Sequence, residues 1–347
     1  MRSVKDTNAH INTEVPTDIV VASETALAEL GALAERAGTY AEASQSKNTR
    51  KAYGKALRGF ARWCLALGVP TQSDSLPALP AAPEALAAYI VARADQGGAV
   101  SSIALFLSAM ADAHKQARLP SPLSDPALQK VWAGIKRSQG KPPRKAYPLS
   151  VPELRMMILS QRWGAKAIRD RCAMLLGFAG APRPEELVAV ELEHMEVLEN
   201  GRLLLTIPHS KGDQESQGQS VIVARGSDRV TCPIAALEDW LAASEIVSGP
   251  IFRGLPYGRL SEAKLWPGDI SKLLKSAARR AGFPKATVEK ISGYSLRRGL
   301  ATTARKQGRS LDSIQRQCRH RNIGTTMGYI AAEELARSEC AAEGIGL

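Results

Sequence analysis

Cysteine, histidine and aromatic residues are scarce in this chain, and each scarcity excludes something. The five cysteines (Cys64, Cys172, Cys232, Cys318, Cys340) are far apart and form no Cys-x-x-Cys pair. That rules out a zinc ribbon and a disulfide framework, and free thiols are expected. No cluster of metal ligands and no Gly-x-x-x-x-Gly-Lys loop occurs, so neither a metal nor a bound nucleotide cofactor is expected. Aromatics make up 5% of the residues. With alanine and leucine abundant, this favours helix over sheet. The uncharged run over 172–182 is too short to cross a bilayer. The opening residues Met1-Arg2-Ser3-Val4-Lys5-Asp6 lead into no apolar core of the signal-peptide kind. A cytoplasmic protein with no membrane partner is expected.

What the chain does have is length and positive charge. Its 347 residues suffice for two domains, each with its own core. The formal charge of +12 points to a polyanionic partner. The clearest helix is expected over 46–67. Tyr53, Leu57, Phe60, Cys64 and Leu67 recur on one face. Lys47, Lys51, Lys55, Arg58 and Arg62 recur on the opposite face, with no acid among them. Solvated charged faces usually mix signs for local pairing, so this row reads as a surface for DNA phosphates, with steep salt dependence.

Other helices are expected over 23–40, 83–96, 100–117 and 124–138, with His114 as a capping or packing residue. Residues 1–42 read as a partly disordered N-terminal segment with one helix, and 43–138 as a helical domain. A basic linker over 139–148 contains Lys141, Arg144 and Lys145 between glycine and prolines. It is either a DNA-contacting strap or an ordinary solvated hinge. From 149 to 347 a mixed domain is expected. Ser150 and Glu153 cap its first helix, and strands over 193–197, 203–208 and 220–224 alternate with helices over 168–180, 233–244, 270–281, 295–307 and 311–317.

In this second domain, Arg183 precedes Pro184, whose ring suits the first helical position. Glu185 and Glu186 complement the helix dipole there. A residue before proline avoids helical backbone angles. Arg183 is therefore expected just outside the helix start, where its guanidinium can fork onto two phosphate oxygens. Arg297 and Arg298 open another helix and are either a phosphate clamp or surface charges. Lys211 lies in a turn between two strands, either as a proton donor to DNA or as an exposed hairpin lysine.

Five segments together resemble the tyrosine recombinases (phage integrase family). Phe178-Ala179-Gly180-Ala181-Pro182-Arg183-Pro184-Glu185-Glu186-Leu187 is similar to their first arginine box. Ser210-Lys211-Gly212-Asp213-Gln214 resembles their β-hairpin lysine. Gly293-Tyr294-Ser295-Leu296-Arg297 matches Gly-His-x-x-Arg except at Tyr294. Arg319-His320-Arg321 resembles Gly-His with the glycine replaced, and Met327-Gly328-Tyr329-Ile330 their terminal tyrosine box.

The resemblance implies a mainly α fold with a small β-sheet: a two-domain C-shaped DNA clamp, with a helical core-binding domain and a mixed α/β catalytic domain. It implies a site-specific recombinase in which Tyr329 forms a 3′-phosphotyrosine. Arg183 and Arg297 would neutralise the phosphate and Lys211 would protonate the leaving oxygen. His320 would hold the phosphate or take the tyrosine proton, and Glu186 would orient the site. No metal or ATP is implied. The partner would be double-stranded DNA with inverted-repeat half-sites, bound by a homodimer and, in the synapse, a homotetramer. A short helix over 331–340 would pack on a neighbouring protomer. Tyr294 can donate a hydrogen bond but is a poor base unless nearby arginines lower its pKa. A positive φ at Arg319 would strain it and displace His320. The other readings are a DNA-binding protein without the chemistry and a topoisomerase IB-like activity.

Overall fold

In a computed structural model of the chain, residues 24–43, 45–73, 76–142, 144–208 and 218–335 are described. The chain forms two units, Met1–Pro142 and Pro143–Leu347. It is mainly helical with small sheets, and no described helix is long and apolar enough to cross a membrane.

The first unit contains α1 (Glu24–Ala43), α2 (Lys47–Ala66), a small hairpin of β1 (Thr71–Ser73) and β2 (Leu76–Pro77), α3 (Pro83–Asp95), α4 (Val100–Gln116) and α5 (Pro126–Gln139). The Ser46 hydroxyl accepts the Thr49 N–H and starts α2. The apolar stripe of α2 then buries Phe60 and Cys64. Phe60 meets Tyr89 at 5.1 Å and Phe106 at 5.3 Å between ring centroids, tying α2 to α3 and α4. Leu67 does not belong to that stripe. It is 60% exposed, because α2 ends at Ala66 and Leu67 caps it. The β1–β2 hairpin was not expected from the sequence. His114 is fully buried: Nε2 accepts the Ala81 N–H and Nδ1 donates to the Met110 carbonyl, which makes it a packing residue.

The second unit begins with α6 (Val151–Leu159), α7 (Ala165–Ala179) and α8 (Pro184–Val188), followed by β3 (Met195–Val197), β4 (Leu203–Ile207) and β5 (Gln219–Val223). After these come α9 (Pro233–Ser244), α10 (Pro267–Arg280), α11 (Lys285–Lys290), α12 (Tyr294–Lys306), α13 (Leu311–Cys318) and α14 (Ile323–Leu335). Ser150 and Glu153 form the capping box of α6. The sheet is antiparallel in the order β3-β4-β5, with Leu205 opposite both Met195 and Val221. In β4, Leu203, Leu205 and Ile207 face the core at every second residue. The core closes around fully buried Trp240 and Phe252.

Two helices differ from expectation. The short α11 was not foreseen. The last helix begins at Ile323, not 331, so Tyr329 lies inside it; residues 336–340 of the expected helix fall outside the described residues. Its early turns hold two glycines and two threonines, which are poor helix formers, and packing decides instead. Thr326 and Ile330 are fully buried, and Ile330 joins Ala181, Ala301, Ile314 and Cys318 in a small core beneath the site.

Candidate active site

Backbone contacts set α12 in place. A Cβ at Gly299 would lie 2.0 Å from the Leu149 carbonyl oxygen, and one at Gly293 would lie 2.5 Å from Pro184 Cγ. Only glycine allows either approach. The first turn of α12 is thereby held against the start of α8, which brings Arg297 toward Arg183.

Arg183 is the N-cap of α8, with extended backbone angles and Pro184 at the first helical position, as the proline argument requires. The Glu186 carboxylate accepts its backbone N–H at 2.8 Å and its Nη1 at 2.6 Å. Burial works to raise the Glu186 carboxyl, but the Arg183 backbone N–H, the Arg319 charge and the Arg183 guanidinium outweigh it, and the group sits below its ordinary value.

Arg297 is 1% exposed. Its Nη1 donates to the Ala181 carbonyl at 2.7 Å and its Nε to His320 Nε2 at 3.3 Å. Its Nη2 is buried without a partner among the described residues. Because a guanidinium only donates, His320 accepts at Nε2 and carries its proton on Nδ1, which donates to Thr326 Oγ1 at 2.9 Å. Burial, followed by the charges of Arg297, Arg183 and Arg319, pushes the imidazole down to about 3. His320 is therefore neutral at physiological pH. Its ring stands edge-on to Tyr329, 5.0 Å between centroids at 86°. Tyr329 is half-buried.

Tyr294 is the first residue of α12 and is 40% exposed. Burial and then the Glu185 charge raise its phenol, and Arg183 and Arg297 do not reverse that. The phenol stays protonated near neutral pH and can donate a hydrogen bond, but it is no base there.

Arg319 has φ 51 and ψ 49, so the position does require a left-handed backbone. His320 is nevertheless not displaced. Its N–H reaches the Gln315 carbonyl and the Gln315 side chain returns to the His320 carbonyl, so the turn closes α13 and holds the histidine.

The structure thus brings Arg183, Glu186, Tyr294, Arg297, His320 and Tyr329 into one region of the second unit. Lys211 lies between β4 and β5, in the segment 209–217 outside the described residues. Lys47, Lys51, Lys55, Arg58 and Arg62 are all exposed on α2, in the first unit. Lys141, Arg144 and Lys145 are exposed as well, and Lys145 Nζ donates to the Gly328 carbonyl at 3.4 Å, one residue before Tyr329. Thr326 and the Ala181 carbonyl were missed from sequence. A threonine in a glycine-rich stretch carries no signal of a histidine partner, and a carbonyl carries none at all. Among the described residues, no group of three or more His, Cys, Asp or Glu side chains is placed to hold a metal ion.

The chain is similar to known proteins in sequence and in fold. The model of the phage integrase family matches residues 149–335. An integrase/recombinase XerD homolog from Selenomonas ruminantium is 30% identical over 294 residues, covering 83% of each chain. Among solved structures, a lambda integrase dimer bound to a COC′ core site shares the fold at a TM-score of 0.55 and 16% identity, covering 86% of this chain and 93% of the other. A lambda integrase tetramer bound to a Holliday junction gives 0.53 and 17%, with coverage of 82% and 72%. A XerH site-specific recombinase in a post-cleavage complex with palindromic difH substrate gives 0.54 and 18%, with coverage of 74% and 71%.

Proposed function

Because the chain belongs to the phage integrase family of tyrosine recombinases, we propose that it cuts and rejoins duplex DNA at a specific site through a 3′-phosphotyrosine. The observation that supports this most is the orphaned Nη2 of Arg297. A buried donor without a partner is costly, and a phosphate oxygen would satisfy it. Tyr329 Oη attacks the scissile phosphorus. The bond to the 5′-oxygen breaks, and that oxygen takes a proton from Lys211. Arg183 and Arg297 balance the charge that develops on the nonbridging oxygens, and Tyr294 donates a hydrogen bond to one of them. Neutral His320 takes the tyrosine proton at Nε2, giving up its long 3.3 Å contact with Arg297 Nε, as the bound phosphate offsets the arginine charges that hold the imidazole down. The covalent bond conserves the energy of the broken ester, so the scheme needs neither metal nor ATP.

The exposed cations of α2, with Lys141, Arg144 and Lys145, hold the duplex backbone. The dimer and tetramer in which a similar fold is found on DNA support the same assemblies here, with a homodimer on inverted-repeat half-sites and a homotetramer in the synapse. The site of action is then the bacterial cytoplasm, on chromosomal or mobile-element DNA.

A nicked suicide duplex tests this. A covalent protein–DNA adduct is expected with the wild type and none with Tyr329→Phe. Tyr294 favours one rival, a DNA-binding protein without chemistry, since a raised phenol replaces an imidazole. Tight binding with no adduct from either protein would establish that rival.

A further inference from the structure

We infer that Arg319, which stands where the resembled motif has glycine, is a positioning residue that sets both clamp arginines and His320 in place before DNA arrives. This rests on the recombinase reading and adds a residue to it.

The guanidinium of Arg319 lies beneath the site, with its side chain 3% exposed. Its Nη2 donates to Glu186 Oε2 at 2.8 Å and to the Ala181 carbonyl at 3.3 Å; its Nη1 donates to the Gly180 carbonyl at 3.1 Å. Two of these acceptors also serve a residue of the clamp. Glu186 holds Arg183 through the backbone N–H and Nη1, and the Ala181 carbonyl receives Arg297 Nη1. The next residue in the chain is His320. One side chain thus braces three members of the proposed site without facing DNA itself.

Stability alone does not explain this arrangement. A left-handed arginine is conformationally unfavourable compared with glycine. Buried ion pairs are weak stabilisers compared with apolar packing, and Arg319 Nε is buried without a partner among the described residues. Ala181 also has a positive φ of 47°, so the turn carrying the shared carbonyl is itself strained and needs a restraint. A fixed network of this kind limits how far the clamp must reorganise when the phosphate binds.

The test compares Arg319→Gly, Arg319→Met and Arg319→Lys with the wild type. It measures single-turnover adduct formation at saturating suicide duplex, affinity for uncut duplex, and melting temperature. Arg319→Gly relieves the backbone, so it separates the guanidinium from the strain. Adduct formation is expected to fall about 10- to 100-fold in the Gly and Met variants, with affinity changed less than about twofold. Arg319→Lys should recover part of the rate, because an ammonium can hold Glu186 but cannot fork onto both carbonyls. A role limited to folding would lower the melting temperature and leave the rate of the folded fraction unchanged. Cleavage by the Gly variant within twofold of the wild type, or equal losses of binding and cleavage, overturns this inference alone. A wild type that forms no adduct overturns the recombinase reading and this inference with it.

Discussion

Arginines in the two units are used in opposite ways. On α2, Arg58 and Arg62 extend into solvent beside Lys47, Lys51 and Lys55, where charge acts at a distance and salt screens it. In the second unit Arg297 and Arg319 are almost fully buried and hydrogen-bonded to named carbonyls, a histidine and a carboxylate. There position matters as much as charge, and lysine is only a partial substitute. The exposed set should control how tightly DNA is held, and the buried set how fast it is cut.

The largest effect should come from Arg297→Ala. It removes the orphaned donor that the phosphate would complete, and loss of one such donor typically costs about 100- to 1000-fold in rate. Affinity for uncut duplex should change little. If binding and single-turnover cleavage fell equally, the division between holding and cutting would be wrong.

Tyr294→Phe should have a smaller effect, roughly tenfold on cleavage, by deleting one hydrogen bond to a charged oxygen. Tyr294→His sharpens the point through pH. The wild-type phenol is raised above its ordinary value and His320 is pushed down to about 3, so neither titrates between about pH 5 and 8. An imidazole at 294 adds a group with an ordinary value near 6.5, and a new limb should enter the rate–pH profile of the variant.

The pair Lys55→Ala and Arg62→Ala should leave cleavage at saturating DNA intact and weaken affinity several-fold. The log–log salt dependence should become shallower by roughly 0.9 for each lost phosphate contact. An unchanged salt slope would mean that this face of α2 is solvated and not on DNA.

The same division explains what could be read from the chain. The exposed row and the apolar stripe of α2 are periodic, and periodicity is visible in a sequence. α9 likewise matches its expected span at both ends, Pro233 and Ser244. The caps at Ser150 and Arg183 depend on neighbours within three residues and were legible for that reason. What escaped depends on distant partners. The Arg319–Glu186 pair joins residues 133 apart; α14 forms through its buried Thr326 and Ile330 despite poor local propensity; and Leu67 becomes exposed because α2 stops one residue earlier.

The smallest expected effect concerns stability. His320 is neutral in the fold, with its value pushed from 6.5 to about 3 by burial and the three arginines. Below about pH 6.5 the unfolded chain therefore binds a proton that the folded chain refuses. That proton favours unfolding, so this group's contribution to stability is intact above pH 6.5 and is lost as pH falls from there toward 3. Glu186, held below its ordinary value, loses its contribution only at more acid pH, through the carboxylate range. Glutamine at 320 can accept from Arg297 and donate to Thr326 without titrating. Between pH 7 and 5, the melting temperature of His320→Gln should therefore decline less than that of the wild type, while single α2 variants such as Lys51→Ala should follow the wild-type curve. Parallel curves for wild type and His320→Gln would mean that His320 titrates alike in the folded and unfolded chain, and that the arginine-lined site is open to water.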